Sequence, residues 1–265
     1  MASVPTSRVL GELTFHDAAR AIKETSILCL PLGAIEQHGA HLPLNTDVIV
    51  AEGLSRLLLE RWGEAFDLWQ LPTLSVGLSR EHDWAAGTLS LSIHGFTAYM
   101  RDFAATIARS LPARNLAIVN GHGGNRGILE NLLHELRGDF GLNAVVLHPF
   151  DLAGADTTSV DVHGGRGETS VMLALAPDKV RRDRIAAGGP PDPKVVQALI
   201  FERGATWGWR SDDARIGRDG IIGDPGGATA EHGAELLDRM TAASGSVFAR
   251  LLENRKLMPG QGSSR

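Results

Sequence analysis

The chain has 265 residues, 43% of them hydrophobic, and its 26 basic against 31 acidic residues give a formal net charge of -5. That length can bury a large core, and the absence of any basic tract argues against a nucleic-acid surface. No apolar run approaches the roughly 20 residues that span a bilayer. The opening MASVPTSRVLGELTF has neither the basic start nor the apolar run of a secretory signal. A soluble, cytoplasmic protein is therefore expected. The one cysteine, Cys29, excludes an intramolecular disulfide and reads as a small buried hydrophobe.

Taken in chain order, SILCLPL (26–32) is the first β-prone run, apolar throughout as in a strand covered on both faces. It is followed by GAIEQHGAHLPLNTD, a turn-rich loop carrying Glu36, His38, His41 and Asp47. Glu36 and His38 are two apart, so an extended backbone points both side chains the same way. A helix is expected from near residue 48, with Ile49, Leu54, Leu57, Leu58 and Trp62 at helical spacing and Asp47 as a favourable N-cap. Further strands are expected at 68–76, 115–121 and 143–149, with helical periodicity in FTAYMRDFAATIARSL and RGILENLLHEL between them. Strand alternating with helix predicts an α/β layered fold on a parallel sheet.

The strand at 115–121 runs into VNGHGGNRG, where glycines flank His122. This loop lacks the Lys-Ser/Thr of a phosphate loop and the spacing of a dinucleotide fingerprint. Later, DVHGGRGETSVMLAL places His163 five residues before Glu168, which sits in the first turn of an apolar helix, where a carboxylate also serves as a cap. GGPPDPK (188–194) joins the body to a C-terminal appendage. Residues 229–256 read as a long closing helix, and 257–265 as a frayed tail. The ligand-type residues are interleaved with the strands, which favours a single domain over residues 1–265.

Open α/β sheets build their sites at the carboxyl ends of strands. Two acids and a histidine in one loop, a histidine in the next and a glutamate in the third make a mixed nitrogen and oxygen ligand set. Such a set suits Zn²⁺, Mn²⁺ or Fe²⁺, and a thiolate site is excluded by the cysteine count. Among the other histidines, His41 is expected to orient a ligand from outside the site, and His82, in REHDW, to line the substrate pocket. His16, His94, His134 and His148 read as structural, and His232 is given no role. Trp207 and Trp209, in ATWGWRSDD, are expected to pack in the core rather than wall a neighbouring subunit's pocket.

LPLGAIEQHGAHLPLNTDVIVAEG, VNGHGGNRG and HGGRGETSVML closely resemble the characteristic segments of the creatininase (creatinine amidohydrolase) family. LSREHDWAAGTLSLS and IIGDPGGATAEHG resemble weaker family blocks, in the family's order. The resemblance implies a three-layer αβα fold with a mostly parallel sheet, assembly as homohexamers, and hydrolysis of an amide C–N bond at a centre of two divalent metal ions. By position, Glu36, Asp47 and His122 would bind one ion and His38, Asp47 and Glu168 the other, with Asp47 shared. Creatininases place a carboxylate two residues after the histidine of the NGH motif. This chain has Gly124 there, and Glu168 is the expected substitute, as in the formamide-hydrolysing branch. Nor does the segment 149–162 supply the tryptophan that creatininase closes over its substrate.

The expected chemistry is attack by a metal-activated water on a carbonyl. His163 would act as the acid toward the leaving amine, and the backbone around Gly123 and Gly124 as an oxyanion hole. The leading expectation for substrate is a small cyclic amide or formamide. Peptide trimming during cofactor maturation and ring opening of a cyclic ketone or sugar-derived ring are the alternatives. A metal-stabilised, non-catalytic subunit is a reading from another class, and His163 discriminates, because a purely structural site has no use for an unligated acid. Specificity would sit in the loops at 78–87, 150–162 and 205–223.

Overall fold

The computed structural model describes residues 7–154, 160–202 and 204–257. Four parallel strands form one sheet in the order β2-β1-β3-β4: β1 (Ile27–Leu32), β2 (Leu68–Gln70), β3 (Asn115–Asn120) and β4 (Asn143–Leu147). Every residue of β1 and β3 is buried, which accounts for their unbroken apolar runs. Alternate side chains face opposite layers. Ile27 and Cys29 join Ala117 and Val119 in one apolar cluster, while Leu28, Leu30 and Leu32 join Leu116 and Ile118 in another.

The described residues form eight α-helices: α1 (Phe15–Ala21), α2 (Thr46–Trp62), α3 (Ile93–Ser110), α4 (Arg126–Phe140), α5 (Pro149–Leu152), α6 (Arg166–Leu175), α7 (Pro193–Val196) and α8 (Ala230–Lys256). The first cluster packs α2, α6 and α8 on one face through Leu54, Leu58, Met172, Met240 and Phe248. On the other face α3 and α4 pack through Phe96, Met100, Leu129 and Leu132. Three layers, αβα, result, as expected. The connection from β1 runs outward to β2 over one face, and those from β2 to β3 and from β3 to β4 cross the other. That arrangement keeps parallel crossovers right-handed. It also makes the gap between the carboxyl ends of β1 and β3 the point where strand order reverses, the usual place for a site.

Two boundaries differ from expectation. The strand expected at 68–76 ends as regular ladder at Gln70, because Pro31 on β1 and Pro72 beyond β2 have no N–H to donate. The chain continues beside β1 with a shifted register, Leu71 N donating to the Cys29 carbonyl (2.8 Å) and Leu74 N to that of Pro31 (3.0 Å). Helix α2 starts at Thr46 rather than near 48, so Asp47 lies within its first turn and is not the N-cap. Helix α8 runs over Ala230–Lys256 behind a Thr229 cap that accepts from His232 N, close to the expected 229–256. Of the expected tail 257–265, Leu257 is exposed and 258–265 lie outside the described residues.

The appendage after 188–194 contributes a small separate cluster, in which Val196, Ile216 and Ile222 are buried with Val162 and Trp209 against them. Ile222 pairs with His163 in an antiparallel bridge, and this holds the His163 loop over the end of the sheet. Among the described residues no helix is long and apolar enough to cross a membrane.

Candidate metal centre

The loop leaving β1 delivers Glu36, Gln37 and His38, the first turn of α2 delivers Asp47, and the loop leaving β3 delivers His122. The bridge to Ile222 and the first turn of α6 bring in His163 and Glu168. All five expected ligands converge in a buried cluster. Glu36 Oε1 lies 3.2 Å from His122 Nδ1 and 4.0 Å from His38 Nε2. Asp47 divides its oxygens, Oδ1 at 3.1 Å from His38 Nε2 and Oδ2 at 3.2 Å from His122 Nδ1. Glu168 Oε2 is 3.8 Å from His38 Nε2 and also accepts from Gly164 N (2.6 Å), so the expected capping interaction and the approach to the site coexist.

The hydrogen-bond pattern of the two histidines is the informative feature. His38 Nδ1 faces the Glu36 carbonyl (3.2 Å) and its Nε2 faces Asp47 and Glu168. His122 Nε2 faces the Leu78 carbonyl (2.6 Å) and Glu81 Oε1 (3.3 Å), and its Nδ1 faces Glu36 and Asp47. Each ring thus meets only acceptors. With the outer N–H donated to a carbonyl, the inner lone pair points at carboxylates, and only a proton or a cation reconciles them. Meanwhile no hydrogen bond reaches either oxygen of fully buried Glu36, or Oδ2 of Asp47. Buried carboxylates without donors are costly unless a cation compensates them.

The electrostatics agree. Burial opposes a charged His38, but Asp47, Glu168 and Glu36 overcome it and lift its pKa to about 9. His122 is raised well above the usual range against the same burial penalty, by Glu36, Asp47 and Glu81. Burial alone would raise Asp47, yet His38 and His122 hold it well below the usual carboxylate range. Glu168 is pushed up to about 7 by burial, with His38 opposing and Asp47 adding to the rise. Among the described residues, four groups bring their ligand atoms close enough to suit a divalent metal: Glu36–His38–Asp47, Glu36–Glu81–His122, His38–His163–Glu168 and Glu36–His82–His163.

His163 differs from the other two. Its Nε2 donates to the Gln37 carbonyl (2.7 Å), its Nδ1 is 3.6 Å from Glu36 Oε1, and burial, then His38 and His82, hold it well below its ordinary pKa. It is a neutral imidazole with a free inner nitrogen. His82 stacks on it, with ring centroids 4.1 Å apart. His82 Nδ1 takes the Gln37 amide N–H (2.9 Å) and lies 2.7 Å from Ser211 Oγ, so its proton is on Nε2, which points at Glu36 Oε1 (3.6 Å). The Gln37 amide also donates to the Gly220 carbonyl (3.0 Å), and a Cβ at residue 220 would come within 2.3 Å of that amide, so glycine is required there.

Above the cluster opens a cleft of about 420 Å³, lined by Glu81, His82, His122, His163 and Glu168, with Gly123 and Gly124 beside His122 and Arg80, Val162, Trp207 and Trp209 at the sides. His82 and both glycines are therefore where the pocket was expected. The expectation of core packing fails for Trp207, which is 55% exposed because residues 205–209 run without helix or strand along the cleft mouth. Trp209 does pack, against the small Ile216 and Ile222 cluster. His41 is buried outside the ligand cluster, with Nε2 2.8 Å from Thr169 Oγ1, so it braces the helix that carries Glu168. Of the expected specificity loops, 155–159 lie outside the described residues.

Several residues here escaped the sequence reading. Glu81 stands next to His82 in REHDW, and its place beside a histidine was the available signal. Fully buried Asn125 accepts from Leu78 N (2.9 Å) and donates to the carbonyl of Gly33 (3.3 Å) and to Asn120 Oδ1 (3.2 Å), tying three loops together. Gln37 and Ser211 are 174 positions apart, and nothing local announces their contact.

The Creatininase family model, described as creatinine amidohydrolase, matches residues 11–247. The chain is 34% identical over 240 residues to the mycofactocin precursor peptide peptidase of Mycobacterium tuberculosis strain H37Rv, covering 88% of each chain. To the creatinine amidohydrolase of Pseudomonas putida it is 33% identical over 204 residues, covering 68% of this chain and 76% of that one. The solved structure titled "Creatininase Mn" superposes with a TM-score of 0.75 at 28% identity, covering 96% of this chain and 100% of that one. With the αβα layers, the site at the ends of β1 and β3 and a family match over most of its length, this chain belongs to the creatininase family.

Proposed function

We propose that this creatininase-family hydrolase is a metal-dependent amidase that cleaves a C–N bond, and that its substrate is a short peptide. The observation that carries the metal reading is the pair of histidines that meet only acceptors, beside buried carboxylates that receive no hydrogen bond. In this reading Glu36, Asp47 and His122 hold one divalent ion and His38, Asp47 and Glu168 a second. The division of the Asp47 oxygens between His38 and His122 supports it. The donor set is one that zinc, manganese or iron accepts. When bound, such a pair supplies Lewis-acid activation of water and of the amide carbonyl.

The chain's own residues supply the rest. His163, with Nε2 fixed on the Gln37 carbonyl and its pKa held low by burial, takes up at Nδ1 the proton that the attacking water gives up and delivers it to the leaving nitrogen. His82 presents Nε2–H toward the same centre, held by Gln37 and Ser211. In this reading Gly123 and Gly124 offer backbone N–H groups to the developing oxyanion. Trp207 and Arg80 flank the mouth, where an extended substrate would leave the cleft.

The peptide reading rests on the relatives and on the pocket. At similar identity, the match to the precursor-peptide peptidase spans 88% of this chain against 68% for the creatinine amidohydrolase. The absent side chain at Gly124 leaves a centre unlike that of the creatininases. A small cyclic amide or formamide, acted on at the same metals, is the second reading, favoured by the likeness to creatinine amidohydrolase. Elemental analysis of fresh protein, paired with turnover of short peptides, formamides and creatinine, tests both. Two metal equivalents per chain and turnover highest on a peptide are expected. At most one equivalent would overturn the metal reading, and creatinine as the best substrate the peptide reading.

A further inference from the structure

We infer that Glu81 is a positioning carboxylate that holds His122 at its Nε2 for metal binding, in space that any side chain at residue 124 would take. The inference rests on the metal reading above. Glu81 sits in the helical turn Arg80–His82, and its side chain is only 17% exposed. Among the described residues its one ion pair is with His122. The neighbouring guanidiniums of Arg80 and Arg210 are instead engaged by Asp83, at 3.6 and 3.2 Å. A half-buried carboxylate that pairs with a histidine ring, while Arg80 and Arg210 pair with Asp83, is committed to that ring.

The geometry defines what it does there. His122 Nε2 is 2.6 Å from the Leu78 carbonyl, so it carries the ring proton, and Glu81 Oε1 stands on the same side at 3.3 Å. The lone pair is thereby confined to Nδ1, the nitrogen between Glu36 and Asp47. A carbonyl alone would fix this tautomer. A carboxylate beside it also makes the ring a stronger donor to a cation, the arrangement found behind many metal-bound histidines.

Gly124 is the other half of the device. A Cβ at that position would stand 2.4 Å from Glu81 Oε1, 2.4 Å from His122 Nε2 and 2.8 Å from the Leu78 carbonyl. A side chain at 124 and this backing for His122 exclude one another. The glycine is thus more than a lost ligand, because it is what lets residues 78–81 close against the Nε2 of His122.

The test is zinc affinity, measured by competition with a chromophoric chelator on the full chain, for wild type, Glu81→Gln and Glu81→Asp. Glu81→Gln keeps the shape and removes the charge. It should bind the same number of zinc ions about 10- to 100-fold more weakly, the loss typical of an outer-shell partner. Glu81→Asp, charged but one methylene short, should fall between. The Nε2–H proton resonance of His122 in the zinc-loaded protein should broaden in Glu81→Gln. Affinity within twofold of wild type in both variants would overturn the inference. So would outright loss of one zinc equivalent, which would make Glu81 itself a ligand. Failure of the wild type to take up zinc would instead overturn the metal reading, and this inference with it.

Discussion

Replacing Asp47 by asparagine should separate what the site does with a cation from what it does without one. Asp47 is the one residue with an oxygen on each side of the cluster, 3.1 Å from His38 and 3.2 Å from His122. In the wild type, zinc at about 100 times its dissociation constant adds about 2.7 kcal/mol per site, or ~5.4 for two. Unfolding 265 residues carries an entropy of ~0.56 kcal/mol per kelvin, so that stabilisation raises the melting temperature by about 10 °C. In Asp47→Asn the shared negative ligand is gone, and the shift should shrink to about 2 °C or less at the same zinc concentration. With chelator the variant should also melt below metal-free wild type, because Asp47 pairs with both His38 and His122 and its removal leaves those buried rings without their shared partner. Scanning calorimetry with and without zinc reads both. A variant that keeps the full zinc-dependent shift would refute the assignment of Asp47 as the shared ligand.

Four further outcomes are expected. His163→Ala should retain its metal by elemental analysis yet lose turnover by about 10²-fold or more, because only proton delivery at Nδ1 is removed. Asn125→Ala strands the Leu78 N–H and the Gly33 carbonyl; it should cost about 2–4 kcal/mol by chemical denaturation. For Asp67, burial raises the carboxyl, but hydrogen bonds from Ser26, Arg8 and Trp69 outweigh it and hold it below the ordinary range. A depressed carboxyl stabilises the fold above its unfolded pKa and loses that contribution as pH falls through the folded value. The gap in melting temperature between wild type and Asp67→Asn should therefore be full at neutral pH and close below about pH 4. Finally, Phe15, Leu89 and Ile93 are 77%, 56% and 66% exposed; we expect them to be covered in a homo-oligomer larger than a dimer, and light scattering that reports a monomer at micromolar concentration would exclude it.

The parts of the fold legible in the sequence are those set by local chemistry. β1 and β3 are buried on both faces, so their apolar runs could not be mistaken for half-exposed strands. The ligand loops were legible because each follows such a run and combines glycine with residues that have little reason to be buried. β2 was over-extended because Trp69, Leu71 and Leu74 are all buried. Burial continues past Gln70 while the ladder does not, since Pro31 withholds an N–H from the neighbouring strand. A proline in one strand shortens another, and no window along the second strand contains that information.

The same reasoning explains which functional residues stayed hidden. A metal ligand is betrayed by its type, because a histidine or carboxylate beside glycine after a strand is already unusual. The residues that orient ligands carry no such mark. Gln37 and Ser211 set the proton of His82, and Leu78 sets that of His122 through its backbone alone. Each is chemically ordinary and acts across a long stretch of chain. Gly124 shows the consequence. In sequence it is a missing carboxylate, and it directs attention to Glu168 as the replacement. In the fold, Glu168 does approach, but at His38, 3.8 Å away, while the space beside Gly124 is filled by Glu81, at the Nε2 of His122. One absent side chain is thus answered by two carboxylates with different duties, one beside His38 and one at the Nε2 of His122. Such a division cannot be read from ligand types, because it depends on which nitrogen of His122 holds the proton.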